Sequence, residues 1–345
     1  MLILGIETSC DETSAAVVED GRHVLSNVIS SSKELFAKLA GVIPEEAARK
    51  QVECMIPVID QALKDAKIDR SKLQAIAVTR GPGLLGSLLV GTVTGRTLAR
   101  IWNLPCIGVH HSIGHLTSPW LVPTGKTGED IRFPILTLSA SGGHTDLWLR
   151  KGHMQNFLLG RTRDDASGEA FDKGAYLLSL PYPGGPEISK AAERGDVSVY
   201  AFSHPLSGSE TLDFCFSGLK TELKYLLRDH PEARDDLRNV CASYQHAIVR
   251  HLLDRIGLAL KQHDVRELHL VGGVSANTYL RQQAAILCAQ HSITLRTPLT
   301  IAYCTDNAAM IAAAGQFMFE ENPNEAKRAF LTEASLALAS TKEGA

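Results

Sequence analysis

The chain has 345 residues, enough for two domains with their own cores. Hydrophobic residues make up 44% and charged residues 21%, and Lys+Arg 35 against Asp+Glu 38 leave a net charge of −3. That balance argues against a free-standing nucleic-acid binder, which is usually basic, although a local basic face or a partner chain can supply the missing charge. The seven cysteines are scattered, odd in number and without a C-x-x-C pair, which points to a reducing, cytoplasmic setting. MLILGIETSCDET lacks the basic start of a secretory signal, and no apolar run is long enough to span a membrane.

In chain order, LILGIETS and SAAVVED read as strands, followed by the Asp20-Gly21 turn and a third strand, RHVLSNVIS. Asp-Gly between two such runs is a strong hairpin signal. A helix is expected from about Pro44 to Ala66, with proline at its start and acids in its first turn. QAIAVTR is a buried strand, SLLVGTVTGRTLARIWN a helix and PCIGV a strand. The order βββαβαβ then recurs. FPILTLSA, TDLWLRK and HMQNFLLG are three more strands, and helical segments follow at GEAFDKGAYLLSL, SGLKTELKYLLRD and ASYQHAIVRHLLDRIGLALKQH. ELHLVGG, ANTYLRQQAAILCAQH, ITLRT and DNAAMIAAAGQFMFEE close the set as strand, helix, strand and helix.

A meander followed by alternating strands and helices, present twice, implies an α/β protein with two mixed sheets. The period is far too long for a solenoid, so the pattern predicts a duplicated domain. The expected class is the actin/Hsp70/sugar-kinase-like architecture, two lobes with a central cleft. The expected bounds are 1–110 for the first lobe, with the end of the chain from about 305 to 345 packing back near it, and 111–304 for the second.

In that architecture the first hairpin of each lobe meets the ligand. Here these are ETSCDET (Glu7–Thr13) and SASGGHT (Ser139–Thr145). Small hydroxyl residues and paired glycines let backbone N–H groups approach an anion closely, although a tight turn alone also uses Gly142-Gly143. YPGGP and LVGGVSAN carry two further glycine pairs, the second at the carboxyl edge of a strand where nucleotides bind in open α/β folds. A plain strand-to-helix turn meets the same pattern. Gly91 and Gly95 read as close helix packing.

VHHSIGH holds three of the chain's thirteen histidines. On a helix, His111 and His115 lie one turn apart on one face, a spacing that chelates a divalent metal, while His110 points elsewhere. Two packed polar histidines would look the same in sequence, so a third ligand decides. The best candidate is Asp306 in YCTDNAAMIAAAG, although Thr305 or Asp306 can also serve as a helix N-cap there. Two imidazoles, one carboxylate and open positions suit iron(II) or zinc.

Together, IETSCDET, GPGLLGSLLVG, VHHSIGH, SGGHT, DDASGEAFDKGA, YPGGP, FSGLKT, GGVSAN and CTDNAAMIA resemble the bacterial tRNA N6-adenosine threonylcarbamoyltransferases. This is the TsaD family, formerly labelled O-sialoglycoprotein endopeptidase and related to the KEOPS catalytic subunit. The resemblance runs from Leu2 to about Phe319. It implies transfer of a threonylcarbamoyl group from threonylcarbamoyl-adenylate to the exocyclic amine of the adenosine 3′ of the anticodon, in tRNAs reading ANN codons. It implies one divalent metal, usually iron, on His111, His115 and Asp306. Ser139, Ala140, Ser141, Gly142 and Gly143 would line the phosphate and acyl part of the intermediate. Asp172 and Gly185 would contact the nucleoside, with Asn277 near the adenylate.

Asp11 and Glu12 match family acids at the mouth of the site, and either is a candidate general base or an ordinary turn carboxylate. The implied partners are tRNA, a paralogous TsaB-like dimerisation partner and a TsaE-like P-loop ATPase. An apolar helix face near Ile43–Leu63 is a candidate dimer surface, which core packing would equally explain. Ile113 stands where bacterial members often carry Glu, and Ala140 replaces a Val-like residue. Beyond Asn322 the match weakens. The main alternative is an ATP-dependent kinase or ATPase of the same fold; a noncatalytic scaffold is a second, and no hydrolytic base beside the histidines supports the old peptidase label.

Overall fold

The computed structural model describes residues 1–31 and 43–338. It divides into two compact units. Among the described residues, unit 1 comprises 1–131, 153–155 and 298–338, and unit 2 comprises 132–152 and 156–297.

Unit 1 opens with strands β1 (Leu2–Glu7), β2 (Glu12–Glu19) and β3 (His23–Ser31), an antiparallel meander. Helix α1 (Pro44–Ala66), β4 (Ala75–Gly81), α2 (Leu85–Trp102), β5 (Cys106–His110), α3 (His111–Thr117) and the short β6 (Val122–Pro123) follow. The sheet order is β5-β4-β1-β2-β3-β6, with β4 parallel to β1 and β5 parallel to β4. Alternation along β1 decides what covers each face. Leu4 and Ile6 join Met55, Val58 and Ile59 of α1 in one core. Gly5, between them, faces the opposite side.

Unit 2 repeats the scheme. Strands β7 (Ile135–Ala140), β8 (Thr145–Arg150) and β9 (Asn156–Arg161) form its meander. Then come α4 (Ser167–Leu177), α5 (Gly184–Ala191), α6 (Ser217–Asp229), α7 (Leu237–Gln262), β10 (Glu267–Val271), α8 (Thr278–His291) and β11 (Thr294–Arg296). Its sheet order is β11-β10-β7-β8-β9, with β10 parallel to β7 and β11 parallel to β10. This is the topology of β5-β4-β1-β2-β3, so the internal duplication expected from the element order is present. Sequence periodicity did not single out α5, because Pro183 and Pro186 bracket its two glycines.

The second sheet buries a carboxylate on β10. Glu267 and His269 lie two apart on β10 and are both fully buried. The Glu267 carboxylate accepts from His269 Nε2 at 2.9 Å, from Arg296 Nε at 2.8 Å and from the Arg132 backbone N–H at 3.1 Å. Burial pushes its pKa up, but the His269, Arg296 and Arg132 donors outweigh that and hold it at about 2. Burial lowers the His269 pKa to about 4, so at neutral pH the imidazole donates as a neutral ring.

The last helices of the described residues, α9 (Ala308–Glu321) and the short α10 (Pro323–Ala326), lie in unit 1. Small residues let α9 lie directly on the first sheet. A side chain at Gly5 would meet Ala308 O at 2.1 Å, and one at Gly315 would meet Ala77 Cβ at 2.7 Å. The helical part of the expected 305–345 segment is therefore confined to 308–326 among the described residues, and 339–345 lie outside them. Helix α3 packs against α9, so residues 111–131 belong with unit 1. The expected boundary at 110/111 would have separated the two histidines from Asp306; all three lie in the same unit.

Candidate functional site

The metal question turns on α3 and the segment entering α9. His110 caps α3: its Nδ1 accepts from Ser112 N at 3.1 Å, and its Nε2 reaches Leu336 O at 3.1 Å. It therefore points away from the pair that follows, as one turn of helix requires. His111 and His115 are 8% and 4% exposed, with Nε2 atoms 3.1 Å apart. Asp306 Oδ1 lies 3.2 Å from His115 Nε2 and 3.5 Å from His111 Nε2. The N-cap of α9 is Asn307, whose Oδ1 accepts from Met310 N at 3.1 Å, and not Thr305 or Asp306. Capping by the next residue leaves the Asp306 carboxylate to face the imidazoles.

These three donors form the one group of its kind found among the described residues. A tetrahedral ion with bonds of about 2.0–2.1 Å sets its ligand atoms about 3.3–3.4 Å apart. The observed edges of 3.1, 3.2 and 3.5 Å match that spacing. Three protein ligands leave a coordination position for a substrate oxygen or water. The donor set therefore fits a divalent metal.

The electrostatics agree. Burial opposes a charge on His111, but the carboxylates of Asp306, Glu7 and Glu12 outweigh it and raise its pKa to about 9. A pocket that holds a proton so firmly is negative enough to attract a dication. Burial, with Asp11 and Asp306 nearby, raises the Cys10 pKa and keeps it a thiol, not a thiolate ligand. Asp11 is half-buried on the β1–β2 turn and Glu12 is buried at the head of β2, so both candidate acids lie in the unit that holds the histidines.

The other expected residues lie in unit 2: Ser139–Gly143 at the carboxyl end of β7, Asn277 after the carboxyl end of β10, Asp172 within α4 and Gly185 at the start of α5. Ser139 and Ala140 end β7, and the turn 141–144 is closed by Ser141 N donating to His144 O at 2.8 Å. Gly142 and Gly143 are exposed with open space around them, and Gly168 N at the start of α4 donates to Ser141 O. Gly272, at φ +83°, comes so close that a side chain there would meet Ala140 O at 2.4 Å. A glycine is needed at that position for both reasons.

Asp172 Oδ1 accepts from Gly184 N at 2.7 Å, which binds it to the start of α5 beside Gly185. Burial raises its pKa against the lowering effect of the Gly184 and Gly185 amides. Asn277 caps α8, accepting from Leu280 N at 2.9 Å, and donates to Gln245 Oε1 at 2.7 Å. Asp172 and Asn277 thus each have a structural partner in addition to any ligand role.

Sequence reading placed Glu7 and Ser9 in the first hairpin but gave them, and Thr79, no individual role; Glu7 and Ser9 flank the second nitrogen of His111, and Thr79 bonds Glu7. The available signal was a carboxylate closing an otherwise apolar strand, LILGIE.

The fold is a duplicated α/β architecture, and its first unit brings two histidines and one carboxylate into a group that could hold a metal ion. A HypF structure from T. kodakarensis shares the fold, with a TM-score of 0.59, 13% identity and coverage of 95% of this chain and 49% of that one. The chain belongs to the TsaD family, tRNA N6-adenosine threonylcarbamoyltransferase, whose model matches residues 23–313. A relative of that description from Syntrophus aciditrophicus is 46% identical over 327 residues, 94% of each chain. Another from Anaeromyxobacter dehalogenans is 46% identical over 316 residues, covering 91% of this chain and 92% of its own. These relatives are transferases, and the kinase or ATPase alternative is not favoured. No helix among the described residues is long and apolar enough to cross a membrane.

Proposed function

We propose that this chain transfers the threonylcarbamoyl group of threonylcarbamoyl-adenylate to N6 of the tRNA adenosine 3′ of the anticodon, releasing AMP. The observation that carries the reading is the convergence of His111, His115 and Asp306 in a chain of this family. The exocyclic amine is a weak nucleophile, since its lone pair is delocalised into the ring. The donor must therefore be activated and its leaving group stabilised. The Ser139–Gly143 turn holds the phosphate and developing oxyanion, with the backbone N–H groups of Gly142 and Gly143 as its donors. Asp172, Gly185 and Asn277 orient the adenylate. The amine nitrogen bonds to the carbamoyl carbon, the bond to the AMP oxygen breaks, and Asp11 or Glu12 takes the amine proton.

His111, His115 and Asp306 would hold one divalent ion, iron(II) in our reading with zinc the alternative. That ion supplies Lewis-acid polarisation of a donor oxygen. tRNA binding weakens with added salt, as phosphate contacts require. The reaction belongs in the cytoplasm.

A TsaB-like paralogue and a TsaE-like ATPase complete the system. The paralogue docks on the apolar stripe of α1 and α2, where Val52, Ile56, Leu89 and Val93 are 64%, 59%, 43% and 55% exposed. Ile56→Asp is expected to weaken that heterodimer about 10–100-fold in sedimentation analysis, as loss of a buried anchor does. Its bound metal should be unchanged. An Ile56→Asp chain that still pairs at wild-type affinity removes this surface from consideration.

The transfer is tested by combining the chain with its partners, synthetic threonylcarbamoyl-adenylate and unmodified tRNA, then weighing the digested nucleosides. Threonylcarbamoyladenosine is the expected product. Unmodified adenosine throughout, with phosphate transfer from ATP to a small acceptor, would favour the kinase reading instead.

A further inference from the structure

The buried carboxylate of Glu7 has no role in the transfer as written, yet the structure surrounds it closely. Glu7 ends β1 and is fully buried. Its Oε2 lies 3.1 Å from His111 Nδ1 and accepts from Thr79 Oγ1 at 2.5 Å. Its Oε1 accepts from the Ser9 backbone N–H. Ser9 Oγ lies 3.2 Å from the same His111 nitrogen.

The pairing of β1 with β4 brings Thr79 beside Glu7. The turn after Glu7 is also fixed: Thr8 Oγ1 donates to Ser87 O at 2.7 Å, and Gly91 packs so closely that a side chain would meet Thr8 Oγ1 at 2.4 Å. Burying a carboxylate costs several kcal/mol unless it is hydrogen-bonded and paired. Among the described ion pairs the partner of this carboxylate is His111 and not a lysine or arginine.

We propose that Glu7 is a positioning residue: held by Thr79 and Ser9, its carboxylate accepts the Nδ1–H of His111 and thereby presents the Nε2 lone pair to the metal shared with His115 and Asp306. This rests on the metal reading given above. An imidazole has one proton to place between two nitrogens when neutral. An acceptor fixed at Nδ1 keeps that proton away from Nε2, locks the ring orientation and increases the electron density that Nε2 offers. The Nε2 atom it frees is the one 3.1 Å from His115 Nε2 and 3.5 Å from Asp306 Oδ1. His115 lacks such support among the described residues, where its buried Nδ1 has no hydrogen-bond partner. Glu7 therefore acts on one side of the ligand pair only.

The test measures Zn²⁺ and Co²⁺ dissociation constants by competition with a chromophoric chelator, together with the visible spectrum of the Co²⁺ form. The metal-free melting curve is recorded alongside. Glu7→Gln keeps the shape but offers an amide that can donate to Nδ1. It should weaken both metals about 10–100-fold, the range for loss of such a support, and alter the Co²⁺ band intensities. Glu7→Asp retains the charge and should restore part of the affinity.

A Glu7→Gln chain that binds both metals within about twofold of wild type, with an unchanged Co²⁺ spectrum, overturns the inference and leaves the metal site standing. Failure of the wild-type chain itself to bind either metal overturns both. Should Glu7→Gln not fold, Thr79→Val decides: it leaves the carboxylate in place but frees it to turn. Weaker metal binding with a retained melting curve supports the inference, and unchanged binding overturns it.

Discussion

Asp306→Ala should abolish stoichiometric metal binding and lower threonylcarbamoyl transfer by about 10²–10³-fold, the scale seen when one preorganised electrostatic group is removed from a reacting centre. The two imidazoles alone are a chelating pair whose Nε2 atoms, 3.1 Å apart, offer a dication no negative charge. The carboxylate supplies that charge and closes the ligand triangle. It also contributes, ahead of Glu7, to holding the His111 proton. Asp306 is part-exposed and does not cap α9, the task of Asn307. Its removal should therefore leave the melting temperature of the metal-free protein nearly unchanged. Elemental analysis of the purified variant, beside nucleoside mass analysis of the reaction, separates the two effects. Full transfer by a metal-free variant would refute a metal-dependent reaction.

The second large effect is on stability. Glu267→Gln should destabilise unit 2 by about 1–3 kcal/mol at pH 7, because the fold holds this carboxyl well below its unfolded range and solvent screening takes part of that difference. The sign follows from the direction of the shift. A carboxylate whose folded pKa is about 2, against 4.5 unfolded, contributes its stability fully above about pH 5. That contribution fades as the pH falls from 4.5 toward 2, because the unfolded chain takes up a proton first. Urea titrations of the two proteins should thus differ most at neutral pH and converge toward pH 2. A constant difference across that range would mean that the Glu267→Gln chain is weakened through packing and not through charge. The largely buried Arg296 adds to the neutral-pH loss, since it would keep its charge without the Glu267 carboxylate beside it.

Much of this was legible in the chain itself because it depends on local periodicity. The two meanders, the spacing of His111 and His115 and the helix over 308–321 all follow from residues near one another in sequence. What was not legible depends on pairing at a distance. Glu7 reads as the end of an apolar strand until β4 sets Thr79 beside it. Asp306 and Asn307 are adjacent residues of similar capping ability, and only Ser14 Oγ, which accepts from Ala308 N, and the position of α3 decide which faces the histidines and which becomes cap. The unit boundary failed for the same reason: α3 opens a new stretch of chain after β5, but the surface that covers it is α9. Helix α5 begins at glycines that favour coil, and the Asp172 carboxylate twelve residues earlier satisfies its first amide.

The docking of α9 on β1 through Gly5 has a consequence for synthesis. The first sheet and both histidines leave the ribosome early, but the carboxylate and the helix that covers the sheet emerge only after unit 2 has been translated in full. Until then one side of β1 and β2 is an uncovered apolar surface, a target for chaperones or for aggregation. An ion held by His111, His115 and Asp306 would be captured only once translation has passed Asp306, so its uptake would report that the early and late segments of unit 1 have come together.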